Sequence, residues 1–225
     1  MSPHMIRSAP NCRPGAGALL DPIRVLSADA HPLLREGIAT IINDQPGMLV
    51  VARAASGREA IQQFRVHQPD ITLLDIRLPD ISGIDTMLTI RQEFPAARIV
   101  MVTDVARDVD IQRAFKAGAR GYVLKTMLPS ELIKAVDKVN GGEKHIPPVI
   151  AACLVEHLSD EDLSERETQV LQHVAGGNRN RDIAKLLFIA EGTVKGHLKH
   201  IMEKLRAQDR TQAVTIAARR GYIQL

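Results

Sequence analysis

From Ile23 to Gly142 short, nearly continuous apolar runs alternate with segments whose apolar residues recur every three or four positions. The runs IRVLSA, MLVVARA, DITLLD, ARIVMVTD and ARGYVLK read as strands. Each is followed by a helical stretch: HPLLREGIATIIND, GREAIQQFRVHQ, GIDTMLTIRQEF, RDVDIQRAFKAG and PSELIKAVDKVNGG. Strands with no polar face belong in a sheet covered on both sides. The helices carry one apolar stripe each, such as Leu132, Ile133, Val136 and Val139 in the fifth. Five β–α units in succession predict an α/β domain over residues 22–142, a doubly wound five-stranded parallel sheet with its ligands at the C-terminal strand ends.

Beyond about residue 158 the strand pattern stops. Helical spacing predicts helices over Ser164–Ala175, Arg181–Phe188, Glu191–Leu205 and Thr211–Arg220. Ser164 with Glu167 forms a capping box that starts the first, and Gly176-Gly177-Asn178 stops it. The short gap to the second helix suits a helix-turn-helix. Residues 158–225 are therefore expected to form a small all-α four-helix domain. Gly141 and Gly142 close the fifth helix of the first domain, and His145 to Pro148 reads as a stiff turn opening a linker over 143–157. Residues 1–21, rich in Pro, Gly and Ala and without period, read as a disordered leader. No apolar core follows Arg7 and Arg13, so a signal peptide is not expected there.

A length of 225 residues accommodates two domains. No apolar run approaches the roughly 20 residues that span a bilayer, so no membrane partner is expected. Two cysteines, Cys12 and Cys153, cannot build a disulfide framework or a structural zinc site alone, which points to a reducing, cytoplasmic setting. The absence of Trp and the scarcity of other aromatics argue against surfaces that stack unpaired bases. Charge is uneven: Ala175–Leu225 holds ten Lys and Arg against four acids, while residues 1–148 are close to neutral. Only the C-terminal part is thus expected to meet a polyanion.

The candidate chemistry of the first domain lies at its strand ends. Asp29, Asp75, Thr103 and Lys125 end strands one, three, four and five, positions that converge on one crevice. A single Asp or Thr at a strand end is ordinarily structural, but four compatible residue types at four such sites suit phosphoryl transfer onto Asp75. The carboxylate would be the nucleophile, with a hard cation, Lys125 and Thr103 stabilising the equatorial oxygens.

The pieces RVLSADAHPLLREG, DITLLDIRLPDISGID, VMVTD and GARGYVLKT resemble the receiver domain of two-component response regulators. The resemblance implies that Asp75 takes phosphate from a sensor histidine kinase and that Thr103 and Lys125 contact the phosphoryl group. Asp29, Asp75 and the Arg77 backbone carbonyl would hold Mg²⁺, and Tyr122 would be the aromatic switch that moves with Thr103. One departure concerns the metal. Receivers of this kind begin with two adjacent acids, but here Ala30 follows Asp29, so a direct ligand is missing and the Mg²⁺ site is weakened. Impaired or metal-independent phosphorylation is the expectation. Asp104 is a candidate compensating ligand, against the plainer reading of a solvent-facing loop acid.

The second domain resembles the LuxR-type helix-turn-helix of the NarL/FixJ regulators through L-S-x-R-E, G-x-x-N-x-x-I-A, E-G-T-V-K-x-H and D-R-T-Q-A. Val194, Leu198, Ile201 and Leu205 share one face of the third helix, leaving Thr193, Lys195, Lys199 and Arg206 for a major groove or its phosphates. Each lysine suits a guanine or a phosphate equally. His197 and His200 read as packing residues, since no acid completes a metal set. Gly196 stands where the family carries a side chain facing the bases. The last helix, with Val214, Ile216 and Ala217, would dimerise in such regulators, or else cap the core of the small domain.

The resemblance therefore implies a transcriptional response regulator that binds double-stranded promoter DNA, is a homodimer when active, and has RNA polymerase as a candidate further partner. It is not expected to be an enzyme beyond slow autophosphatase activity. The competing readings are a regulator that binds DNA independently of phosphorylation, and an aspartyl-phosphate hydrolase. The hydrolase would want a second acid where Arg77 stands, and ADAHPL is no nicotinamide-binding glycine turn.

Overall fold

The structure is a computed structural model that describes residues 21–156 and 161–223. The leader of residues 1–21 lies outside the described residues except for Asp21, as do Cys12 and part of the 143–157 segment. Five parallel strands, β1 (Ile23–Ala28), β2 (Met48–Ala54), β3 (Ile71–Asp75), β4 (Ile99–Thr103) and β5 (Gly121–Leu124), lie in the order β2-β1-β3-β4-β5. Order reverses at β1 and β3, so the crevice above these two strands is the switch point of the sheet. Side chains alternate across the sheet: Leu26, Leu74, Ile99 and Met101 enter one apolar cluster, and Val25, Leu73, Val100 and Val102 the other.

The covering helices are α1 (Pro32–Asn43), α2 (Gly57–His67), α3 (Gly83–Glu93), α4 (Asp108–Lys116) and α5 (Pro129–Asn140). Ser56 and Ser82 accept hydrogen bonds from the N–H groups of Glu59 and Asp85 and so cap α2 and α3. Asp80, in the loop after β3, adds a cap in trans, accepting from the N–H groups of Gly57 at 2.8 Å and Arg58 at 3.0 Å. Burial pulls its carboxyl upward, yet the N–H donors of Arg58, Gly57 and Ile81 prevail and hold it at about 2. Gly83 is required at the start of α3: a Cβ there would lie 2.0 Å from the carbonyl oxygen of Asp75.

The 143–157 segment is more structured than a linker. His145 N–H donates to the Arg120 carbonyl and Tyr122 N–H to the His145 carbonyl, which ties this segment alongside β5. Pro148–Glu156 is a helix, α6, that lies against α4 with Ile150 fully buried and Cys153 and Leu154 on the same apolar cluster. The signal was present in PVIAACLVE: Pro at the start, then apolar residues three and four apart.

The C-terminal helices are α7 (Glu165–Ala175), α8 (Asn180–Leu186), α9 (Glu191–Lys204) and α10 (Arg210–Arg220). The capping box is formed, with Ser164 and Glu167 each bonding the other's backbone N–H. α8 ends before Phe188, which takes a left-handed φ of 54°, and α9 ends before Arg206, which has a φ of 51°. Arg166 donates to the Leu187 carbonyl at 2.7 Å and braces the α8–α9 turn, while buried Glu167 accepts from Lys204 Nζ at 2.9 Å. The two domains are packed together: Val109 of α4 joins the apolar cluster of the C-terminal helices. Beside it Arg220 Nε donates to Asp108 Oδ2 at 2.8 Å, with both side chains buried.

Candidate functional site

β1 and β3 deliver two carboxylates to the crevice, and both are buried from solvent. Lys125, the residue after β5, places Nζ 2.7 Å from Asp75 Oδ2 and 2.8 Å from Asp29 Oδ2. The first contact is an aligned hydrogen bond. The second is a close ion pair to the buried Asp29 Oδ2. On the other oxygens, Asp29 Oδ1 accepts from the His31 N–H at 2.8 Å, and Asp75 Oδ1 accepts from the Arg77 N–H at 3.1 Å. Burial pushes the Asp75 carboxyl above the usual range, and the Asp29 charge adds to the rise against the bonds from Lys125 and Arg77. Burial works against the Lys125 ammonium, but its bonds to Asp29 and Asp75 overcome that and raise it.

The remaining first-domain candidates surround this pair. Thr103, the last residue of β4, is buried and its carbonyl accepts from the Lys125 N–H at 2.8 Å. Asp104 bonds Arg77 Nη2 at 3.2 Å and comes within 3.9 Å of Lys125 Nζ, so it stands half-exposed at the rim of the cluster. Tyr122 is fully buried, its ring tilted against Phe115 at 6.4 Å. Burial and the Asp110 charge push its phenol far above the ordinary value. The sequence reasoning passed over His31. As the N-cap residue of α1 ahead of Pro32, it sets Nδ1 3.3 Å from Asp29 Oδ1. One ligand atom each from Asp29, His31 and Asp75 lie within 4.8 Å of one another. The signal was a histidine two residues after a strand-end acid.

On α9, Val194, Leu198 and Ile201 are buried while Thr193, Lys195 and Lys199 are exposed. Arg206 is exposed just beyond the helix rather than on it. Lys195 and Lys199 pair with Glu191 at 3.0 Å and Glu203 at 3.8 Å, one turn away on the same helix. Such exposed pairs are worth about 0.3–0.5 kcal/mol and yield readily to a phosphate. On α10, Val214 and Ile216 are half-buried, but Ala217 faces the domain's own core and is fully buried. The expectation that Ala217 forms a dimer contact is corrected in this arrangement: Ala213, Ala217 and Arg220 share the inward face of the helix.

A parallel sheet with an acid pair and a lysine at its switch point, joined to a helix-turn-helix with an exposed basic face, defines a signal receiver coupled to a DNA-binding module. Residues 25–137 match the response regulator receiver domain, and residues 161–217 match the bacterial regulatory proteins of the luxR family. The chain belongs to the response regulators that carry a LuxR-type DNA-binding domain. It is similar to the transcriptional regulatory protein YxjL of Bacillus subtilis, 40% identical over 215 residues covering 91% of this chain and 99% of that one. It is also similar to the response regulator VraR of Staphylococcus aureus, at 34% identity over 90% of this chain and 99% of that protein. Among solved structures it resembles the response regulator ChrA of a heme-sensing two-component system, with 34% identity and a TM-score of 0.55 over 91% of this chain and all of that one. These relatives lend no support to an aspartyl-phosphate hydrolase or to a phosphorylation-independent regulator. Among the described residues no helix is long and apolar enough to cross a membrane.

Proposed function

We propose that Asp75 is the phosphoacceptor of this response regulator and that its phosphorylation by a sensor histidine kinase controls how the C-terminal helices bind promoter DNA. The observation that carries the reading is the buried Asp29–Asp75–Lys125 cluster at the switch point of the sheet. An Asp75 oxygen attacks the phosphorus of a phosphohistidine, the P–N bond breaks, and the imidazole leaves with the electron pair. Lys125, already bonded to Asp75, moves its charge onto the transferred oxygens, and Thr103 offers its hydroxyl to another.

One ammonium faces two buried carboxylates, leaving a net negative charge in a desolvated place. A divalent cation fits that deficit. Asp29, Asp75 and the Arg77 carbonyl would hold Mg²⁺, which supplies charge neutralisation during transfer. Ala30 provides no acid, so Mg²⁺ binding is weakened. Slow autophosphatase loss of the phosphoryl group completes the cycle.

Downstream, five positions separate Thr103 from Asp108, the residue that joins α4 to α10. Movement of Thr103 toward a phosphoryl group, with Tyr122 following, displaces this loop and loosens the α4–α10 contact. The freed module then binds double-stranded DNA as a homodimer through α10, with Val214 and Ile216 as the available apolar residues. Thr193, Lys195, Lys199 and Arg206 meet bases or phosphates. The regulator works in the cytoplasm, where RNA polymerase is a candidate further partner. The receiver spans residues 22–142 and the DNA-binding domain 158–225.

Intact mass after incubation with acetyl phosphate, with and without divalent cation, tests the reading. A phosphoryl adduct absent from Asp75→Asn is the expected result. No adduct from any small donor or from the cognate kinase overturns it.

A further inference from the structure

We propose that His31 is a direct ligand of the cation site, supplying through Nδ1 the side-chain donor that Ala30 lacks. Its nitrogen moves the site's preference from Mg²⁺ toward the borderline ions Mn²⁺, Co²⁺ and Zn²⁺. The inference deepens the phosphoacceptor reading and rests on it for the location of the cation.

Three observations carry it. First, Asp29, His31 and Asp75 bring ligand atoms within 4.8 Å of one another, the spread of a single coordination sphere. Second, His31 is held from two sides. Its N–H is bonded to Asp29 Oδ1 at 2.8 Å, and Pro32 behind it confines its backbone to the extended region it occupies, φ −83° and ψ 112°. The imidazole is thereby presented to the site without ordering a loop. Third, Nδ1 sits 3.3 Å from Oδ1 of the buried Asp29 carboxylate. In the tautomer protonated at Nε2, two lone pairs would face each other across that 3.3 Å gap. A cation between them converts repulsion into two bonds, and the ring need only shift its proton from Nδ1 to Nε2.

The donor chemistry then sets the choice of ion. Mg²⁺ prefers oxygen ligands in a near-ideal octahedron and sheds water reluctantly, whereas imidazole favours later first-row divalent ions. A site with two carboxylates, a carbonyl and an imidazole is poorer for Mg²⁺ than one with three carboxylates and better for Mn²⁺ or Zn²⁺. Lys125 stays within the cluster and competes for the same carboxylate oxygens, which lowers affinity for every ion alike and leaves the preference to His31.

The test uses the full chain with Mn²⁺ as the probe. Loss of the free Mn²⁺ spin-resonance signal gives its affinity, Mg²⁺ competition gives the ratio, and pulsed measurements report ¹⁴N coupling to bound Mn²⁺. The comparison proteins are His31→Gln, whose exposed side chain and retained backbone N–H spare the fold, and Ala30→Asp. Expected are ¹⁴N coupling in the wild type that His31→Gln abolishes, and an Mn²⁺-over-Mg²⁺ ratio about tenfold or more lower in His31→Gln. Ala30→Asp is expected to recover Mg²⁺ binding. Bound Mn²⁺ without ¹⁴N coupling, an unchanged ratio in His31→Gln, or no Mn²⁺ binding at all overturns the proposal. The parent reading fails separately: ¹⁴N coupling with no phosphoryl adduct leaves His31 as a ligand and removes Asp75 as phosphoacceptor.

Discussion

Replacing Asp108 by Asn is expected to undock the two domains while leaving each folded. Asp108 opens α4 and Arg220 closes α10, so the pair joins a helix N-terminus to a helix C-terminus, where each charge is also favoured by its own helix. The side chains of Arg220 and Asp108 are 5% and 3% exposed. Removing one member of such a buried pair costs about 3–5 kcal/mol because the partner charge stays desolvated. The helix ends soften that penalty, and the Tyr222 ring, 5.3 Å from the Arg220 guanidinium carbon, offsets more of it. About 3 kcal/mol is therefore the reasonable figure, a weakening of docking by roughly 10²-fold. Hydrogen exchange over Asp108–Lys116 and Arg210–Arg220 reads the change residue by residue, and solution scattering reads the expansion. The double variant Asp108→Leu, Arg220→Met removes both charges and is expected to recover most of the docking beside Val109, which stays in the shared apolar cluster. Unaltered protection of both helices in Asp108→Asn would refute the reasoning. So would a double variant as open as the single ones, since the cost would then not come from a stranded charge.

Three further outcomes follow from other parts of the chain. Gly83→Ala would drive a methyl to 2.0 Å from the Asp75 carbonyl, so a loss of about 1–3 kcal/mol in urea unfolding is expected, together with slower phosphorylation as the end of β3 shifts. Gly196→Ala meets no atom within 4 Å and gains helix propensity, so the DNA-binding domain should be stabilised by about 1 kcal/mol, seen as a higher thermal midpoint of the full chain. Burial lowers the His145 imidazole from its usual 6.5, against the pull of Glu131 and with the aid of Lys138 and Lys134. The unfolded chain then takes up a proton near pH 6.5 that the folded chain refuses, so this stability is intact above that pH and is lost as pH falls through it. His145→Gln should flatten that part of the stability profile, measured by urea midpoints from pH 7.5 to 5.

The parts of this molecule that were legible in its sequence are those whose cause is local. The inner strands β1, β3 and β4 are apolar because they are buried on both faces, while edge strand β2 leaves Leu49 and Arg53 exposed. Ser164 with Glu167 starts α7 because the box satisfies two N–H groups in four residues. Asp29, Asp75, Thr103 and Lys125 could be gathered from their positions at strand ends alone, since a parallel sheet brings those ends together. What escaped depends on partners far away in the chain. Nothing near Asp108 announces Arg220, 112 residues on, and nothing near Gly57 announces Asp80 as its cap. Ala217 suited a dimer contact or the domain's own core equally, because a small residue on a helix is ambiguous until the neighbouring helices are placed. α6 was missed for a different reason: the starting Pro and apolar spacing were there, but a run with no polar face does not say which side is buried until α4 is placed against it.

On the proposed reading, these distant contacts carry a small event at Asp75 to the DNA-binding helices. The exposed faces of Thr193, Lys195 and Lys199 are not covered by the receiver, so docking does not act by masking the basic surface. It acts on α10, whose inward face is engaged with the domain core and with α4 through Arg220. We infer that a receiver docked at the C-terminal end of α10 restricts the approach of a second copy to Val214 and Ile216, whereas a single copy can present its lysines throughout. On the proposed reading, phosphorylation that loosens α4 changes dimer formation rather than the intrinsic grip of one module on DNA. The consequence can be measured. Asp108→Asn should raise affinity for a two-half-site operator while leaving affinity for an isolated half-site unchanged, and an equal gain on both would mean that α4 restrains the recognition helix directly.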